Sequence, residues 1–323
     1  MNIHFGSIRY QYIGLLFFVI FLFLIGFFIK NDYYLNVFVL IGIQAIAVLG
    51  LSLLMGYAGQ VSLGHAAFYG LGAYASGILT IHYGLNPYLA MFCGMAISAL
   101  MALIVGLPAL RLKGHYLAMA TLGFGIIINI CFKEMASLTG GPSGLVGIPM
   151  LKFLNFTFDT SISYFCLVWS IFIILMVLSL HLVNSPFGRA FRALGSHEAA
   201  AQAMGVNTHI AKLIVFIISA VYASLAGSLY AHFVTFISPA SFGFICSIKM
   251  VTMVAIGGMG TLWGALLGTS ILVSLPEFLT VFSDYDVLVY GLILIIVMIF
   301  MPEGIVQASI KIFRNFKYKE TNG

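Results

Sequence analysis

The chain has 323 residues, of which 62 % are hydrophobic and only 7 % charged, a balance that excludes a soluble globular protein. Its formal net charge of +5 reads as basic cytoplasmic loops rather than a nucleic-acid surface. Cys93, Cys131, Cys166 and Cys246 lie in or beside apolar runs with no paired spacing, so they read as small buried hydrophobes, not as disulfides or metal ligands.

Apolar runs of about twenty residues recur along the whole length, which predicts an all-α polytopic membrane protein of about ten transmembrane helices. The predicted spans are about 11–29, 34–54, 61–82, 88–107, 116–132, 160–183, 210–232, 242–257, 263–281 and 286–301. The first, Gln11 to Ile29, is longer than the apolar core of a cleavable signal peptide, and no small-residue cleavage site follows it, so a true span is expected.

At the second and third spans the sequence AGQVSLGHAAFYGLGAY, Ala58 to Tyr74, places four glycines, a Ser, a Gln and a His in a chain otherwise dominated by Phe, Leu and Ile. Gly59 and Gly64 flank Gln60, Val61 and Ser62, so one helical turn near 57–64 can open and expose carbonyls on one side and amides on the other. Such discontinuous helices form substrate sites in transporters, and their N-termini suit carboxylates. Alternatively, Gly64, Gly70 and Gly72 let neighbouring helices approach closely. His65 likewise has two readings, a substrate contact or a histidine satisfied by a neighbouring helix. The residues alone leave both pairs open.

Further along, Lys133 to Asp159 contains TGGPSGLVGIP, which cannot continue a helix and reads as an outside connection. Asn184 to His209 reads as an inside connection. Ala223, Gly227 and Ala231 form a packing stripe. Gly257, Gly258, Gly260, Gly264 and Gly268 form a second glycine cluster. The first two are expected to break the backbone near 257–264, and the last three, repeating every four residues, to line a packing seam. An unbroken helix from Ser247 to Leu275 is the other reading. It would leave nine crossings and put the basic tail, 304–323, outside. Arg9, Arg111, Lys113, Arg189, Arg192, Lys212, Lys311, Arg314, Lys317 and Lys319 fall inside when both termini are cytoplasmic, against Lys30, Lys133, Lys152 and Lys249 outside. That asymmetry favours the broken form. No soluble domain is evident, so residues 1–323 read as a single transmembrane domain.

No metal-binding H-E-x-x-H, nucleophile elbow or Walker loop is present, so neither an enzyme nor a bound cofactor is expected. Glu277 and Glu134 sit near span ends. The scarcity of intramembrane carboxylates argues against ion-coupled transport.

The inner connection, NSPFGRAFRALGSHEAAAQAMGVN, predicts a short helix through Glu198, Ala199, Ala200 and Ala203, capped by Ser196 and ended by Gly205, with Arg189 and Arg192 on one face before it. This segment resembles the coupling loop (184–209) of ABC-importer permeases. Together with GYAGQVSLGHAAFYGLGAY, LPALRLKGHYLAMATLGFG, TGGPSGLVGIP and SPASFGFICSIKMVTMVAIGGMGTLWGALLG, it makes the chain similar to the branched-chain amino acid permease family, on its larger, LivM-type side. Glu198 and Gly205 are seven positions apart, one more than in the general pattern.

The resemblance implies a permease subunit of the bacterial inner membrane. Its implied partners are a second homologous permease (a heterodimer), two cytoplasmic ATPases using ATP and Mg, and a periplasmic or lipid-anchored binding protein. It also implies a substrate pathway that includes Gln60, Ser62, Gly64, His65, Tyr69, Thr121, Gly257 and Gly258. In the loop, Glu198 is expected to meet a groove on the ATPase, and Arg189 and Arg192 to meet acidic surface or lipid phosphate. Branched-chain amino acids are the implied substrates. An ion-coupled secondary transporter, or a passive channel for urea or a short amide, is the alternative.

Cysteines introduced into 140–149 should label from outside, and those in 184–209 or the tail only from inside. Outside labelling at or beyond Lys311 would restore the unbroken 247–275 helix.

Overall fold

A computed structural model describes residues 8–29, 31–153, 156–278, 292 and 295. Twelve helices occur among the described residues: α1 Ile8–Phe28, α2 Asp32–Ser52, α3 His65–His82, α4 Pro87–Ala109, α5 His115–Glu134, α6 Ala136–Thr139, α7 Ser161–Asn184, α8 Pro186–Ser196, α9 Glu198–Ala203, α10 Thr208–Val234, α11 Phe244–Gly257 and α12 Leu262–Phe278. A π-helical turn, Leu53–Tyr57, extends α2.

Five of these segments are long and apolar enough to cross a membrane: Asp32–Tyr57, Pro87–Ala109, His115–Glu134, Ser161–Asn184 and Thr208–Val234. Tyr12–Gly26, Phe244–Gly257 and Leu262–Pro276 are shorter apolar helices. The tenth expected span, 286–301, and the basic tail lie outside the described residues. The ten-span count is therefore not established. The expected third span, 61–82, begins only at His65. The unbroken 247–275 helix is absent, because α11 stops at Gly257 and α12 starts at Leu262.

Burial follows the logic of a membrane protein, with small and hydroxylated residues inside and bulky apolar ones outside. The start of α2 is capped by Asn31, whose side chain accepts from the Tyr33 amide. From Ile41 to Ser52 nearly every α2 residue is buried, so this helix is a central pillar packed by α7, α10, α11 and α12. The second pillar is α10, which packs on α2, α3 and α4. Buried Ser219, Ser224 and Ser228 mark its inner face. By contrast α1 presents Leu16, Phe17, Phe21 and Phe23 outward and touches the bundle through α7, where Phe18 meets Trp169 edge-on.

The described part of the expected outer connection carries short strands. Leu145–Val146 (β1) pairs with Phe236–Ile237 (β4), and Lys152–Phe153 (β2) with Phe156–Thr157 (β3). These two small ladders, each strand two residues long, leave the all-α class intact. His232 fastens the cap to the bundle, with its Nε2 2.6 Å from Ser76 Oγ and its Nδ1 2.7 Å from the Pro149 carbonyl.

At the α3–α10 crossing a Cβ on Gly72 would strike the Ser224 carbonyl, and one on Gly227 the Tyr69 carbonyl. Ser228 Oγ closes the crossing by donating to the Gly72 carbonyl at 3.0 Å. Gly227→Val should therefore overpack this seam and lower stability by about 1–3 kcal/mol or more in detergent unfolding. Gly123→Ala, on a face with nothing within 4 Å of the added carbon, should be neutral or slightly stabilising.

Candidate functional site: the junction of two interrupted helices

The first interruption follows the π turn. Gly56 lacks a Cβ that would strike the Gly260 amide, and Gly59 has φ +65°, a left-handed backbone that favours glycine. From Ala58 to Gly64 the chain is irregular, and protein groups take over its backbone hydrogen bonding. The Ala58 amide donates to the Leu53 carbonyl and the Gln60 amide to the Leu54 carbonyl. The Leu63 amide donates to Thr121 Oγ1 at 3.1 Å, and Thr121 in turn donates to the Ala118 carbonyl. A Cβ on Gly64 would collide with the Thr121 carbonyl. Gly64 thus both opens the helix and allows close approach, so the two readings of this glycine are not exclusive.

Of the expected pathway residues, the side chain of Gln60 folds onto its own loop and donates to the Ala58 carbonyl at 3.0 Å. His65 is fully buried, with Nδ1 3.0 Å from Ser62 Oγ and Nε2 2.5 Å from Ser219 Oγ. Both ring nitrogens therefore have partners, and in this conformation His65 is satisfied from within and ties the opened segment to α10. The fully buried Ser62 belongs to the same chain of contacts. Tyr69 is buried between Tyr230 and Phe242, and its hydroxyl has no hydrogen-bond partner among the described residues.

The second interruption is a hairpin between α11 and α12. Gly258 at φ +107° and Gly260 at φ +90° carry the turn. Thr261 caps α12, since its Oγ1 accepts from the Gly264 amide and donates to the Gly258 carbonyl. Gly264 packs against Gly257, and Gly268 against the Met253 carbonyl, which is the expected seam. Gly260 departs from expectation: it sits in the turn and not on that helix face, because its positive φ is incompatible with helix.

These two interruptions meet. Besides the Gly56–Gly260 contact, Ser52 Oγ donates to the Thr261 carbonyl at 3.4 Å, and the Tyr57 hydroxyl meets the Leu262 backbone. The 258–261 turn is thereby held against the π turn that leads into the Ala58–Gly64 opening, while Gly257 itself packs on Gly264. Gly56, Ser219, Ser247 and Thr261 were not singled out from sequence. Each is one small residue in an apolar or glycine-rich run, and only Gly56, next to the Gly59 break, carried a readable signal.

The expected inner connection forms a two-helix hairpin, α8 and α9. Ser185, not foreseen, caps α8 by accepting from the Gly188 amide. Ser196, expected from sequence to cap α9, does not do so. It ends α8, and its hydroxyl donates back to the Arg192 carbonyl at 2.9 Å, leaving His197 in extended conformation before α9. Gly205, at φ +82°, follows α9 as expected. Arg192 Nη1 donates to the Val183 carbonyl at 3.0 Å, so it braces the hairpin, while Arg189 is exposed. Ala199 and Ala200 are also exposed, and Ala201 is buried.

Glu198 has partners within its own chain. Its Oε1 accepts from Lys212 Nζ at 2.7 Å, and Oε2 lies 3.9 Å from Lys113 Nζ. Lys212 is 3 % exposed, so the carboxylate balances a buried ammonium. The hairpin also touches the first interruption directly. Gly195 packs on the Tyr57 carbonyl, 2.5 Å from where its Cβ would stand, and on Gly59.

Residues 33–298 match the family model described as branched-chain amino acid transport system / permease component. The chain is 34 % identical over 290 residues, 83 % of its own length and 68 % of the relative's, to the high-affinity branched-chain amino acid transport system permease protein LivM of Salmonella typhimurium. It is 28 % identical to the LivH permease protein of that system in Escherichia coli, covering 81 % of this chain and 90 % of the relative. It is 28 % identical to the autoinducer 2 import system permease protein LsrC of Yersinia enterocolitica, over 64 % of this chain and 60 % of the relative. No solved structure matches. The chain belongs to the branched-chain amino acid permease family, and is a multi-pass membrane protein.

Glu198→Gln should strand the Lys212 ammonium and destabilise the protein by about 3 kcal/mol, whereas Glu198→Leu combined with Lys212→Met should recover most of that loss. A double-mutant cycle on detergent unfolding measures it.

Proposed function

We propose that this member of the branched-chain amino acid permease family is one membrane subunit of an ATP-driven importer for branched-chain or related aliphatic amino acids. It works in the bacterial inner membrane, with ten crossings and both termini cytoplasmic. It pairs with a second, homologous permease, takes substrate from a periplasmic or lipid-anchored binding protein, and is driven by two cytoplasmic ATPases that use ATP and Mg. The observation that carries this reading is the family match over residues 33–298, because it spans both helix interruptions and the α8–α9 hairpin.

Three features support the mechanism. The hairpin exposes Phe187, Arg189, Ala199, Ala200 and Met204 as a docking face for an ATPase. Its Gly195 rests on the backbone of the first interruption, so displacement of α8 bears on Tyr57–Gly59. Finally, Asp32, Glu134, Asp159 and Glu198 lie at helix ends or in connections, where they are poorly placed to bind a coupling ion in the membrane. Glu198 serves this mechanism from within, by holding α9 to α10 through Lys212, and the exposed alanines carry the docking contact.

Proteoliposomes holding the permease pair and its ATPases should accumulate leucine only with binding protein outside and ATP inside. Uptake without ATP, driven by a sodium or proton gradient, or equilibration of urea by the permease alone, would favour the alternative classes. Gly205→Val should leave permease in the membrane but reduce coupled uptake at least tenfold, because a β-branched residue is strained at φ +82°.

A further inference from the structure

The helix α4 ends at Ala109 and α5 starts at His115, and both are long and apolar enough to cross a membrane. The short turn between them therefore lies at the membrane surface. Every residue from Arg111 to Tyr116, in the order Arg-Leu-Lys-Gly-His-Tyr, is exposed. The turn is on the side of the α8–α9 hairpin, because Lys113 Nζ lies 3.9 Å from Glu198 Oε2. Apolar residues accompany the basic ones. Leu112 and Tyr116 are exposed, and so are Leu107 and Met119, about one turn further into each span. Such a mixture suits the boundary between headgroups and acyl chains, where Arg and Lys reach outward from an apolar stem.

The charges of this turn are not balanced within the chain. Two other basic residues on the same side are already engaged: Arg192 braces the Val183 carbonyl, and Lys212 is buried against Glu198. By contrast the side chains of Arg111 and His115 have neither a hydrogen bond nor an ion pair among the described residues. The Lys113 side chain is 76 % exposed and reaches a carboxylate that Lys212 already holds more closely, at 2.7 Å. Two cations at the turn and a buried one behind it thus meet a single carboxylate, and the turn stays positive. There is room in front of it as well. Gly114 has φ +54°, and nothing lies within 4 Å of where a Cβ would stand.

We infer that the α4–α5 turn binds the phosphate of an anionic phospholipid through Arg111 and Lys113, with His115 beside them. The planar guanidinium of Arg111 donates to two phosphate oxygens at once, and Lys113 adds a compact charge. The acyl chains lie along Leu107, Leu112, Tyr116 and Met119. A lipid is the anion that matches both halves of this surface, since a soluble phosphate compound would use only the basic half. Juxtamembrane basic residues attract anionic leaflets in this way. Lys113 then stands between two anions, the lipid phosphate and Glu198, and through them it ties the hairpin to the membrane surface. The site is independent of which solute is transported.

The test uses the full-length chain in a neutral detergent, with retention of phosphatidylglycerol followed by native mass spectrometry and phosphatidylcholine as competitor. Wild type should retain phosphatidylglycerol in preference to phosphatidylcholine. Arg111→Gln should lower the affinity for phosphatidylglycerol about tenfold or more, because charge-assisted hydrogen bonds are lost, and leave that for phosphatidylcholine unchanged. Arg189→Gln removes the same charge from the exposed part of α8 and should change neither. Equal losses in the two variants would show diffuse attraction to net charge and overturn the site. Retention by Arg111→Gln at the wild-type level overturns it too. Glycerol 3-phosphate, a headgroup without chains, should not displace the lipid at millimolar concentration; displacement would make this a soluble-phosphate site and overturn the lipid assignment. If Arg111→Gln is not recovered folded, Lys113→Gln decides by the same readout.

Discussion

Backbone polar groups cannot be left unpaired in hydrocarbon, and this constraint organises the whole bundle. A continuous helix meets it alone. An interrupted helix needs its neighbours, and here three groups at the interruptions call on particular hydroxyls: Thr121 for Leu63, Ser247 for Ala66, Ser52 for Thr261. The two interruptions are therefore placed where their surroundings can serve them, against each other and against α5 and α10. The glycines permit this proximity, and the hydroxyls make it stable.

The same economy governs the charges. Lys212 is buried at the start of α10 and takes its counter-ion from α9, while Lys113 approaches the same carboxylate from the α4–α5 connection. One acidic side chain thus holds the α8–α9 hairpin to two parts of the helical bundle. On the opposite face His232 does a comparable task without charge, joining Ser76 of α3 to the Pro149 carbonyl of the outer cap. Both faces of the bundle are tied down by a single side chain with partners on separate elements.

Much of this was legible in the sequence. The apolar runs located the helices, since length and hydropathy are local properties. Both interruptions were readable at Gly59–Gly64 and Gly257–Gly258, because glycine clusters in an apolar run carry a conformational message. The partners were not. Glu198 is written beside alanines and looks free, and its counter-ion stands fourteen positions later on a different helix. Ser196 sits where a cap belongs, yet α8 continues through it, because the preceding turns already bury Phe191 and Leu194 and carry the helix on. His65 could be named as special but not assigned, since Ser219 lies 154 positions away. Tertiary partnership is a property of the packed chain, and no single segment encodes it.

The contact between Gly195 and Tyr57–Gly59 has a mechanical meaning of its own. It is made by main chain on both sides, so there are no rotamers to bend and no side-chain slack to absorb a push. A soft contact would dissipate small displacements as side-chain rearrangement. This one is stiff in compression and exerts no pull when the surfaces part. It is a one-way contact: an inward displacement of α8 would bear directly on the interrupted helix, and an outward one would leave it alone.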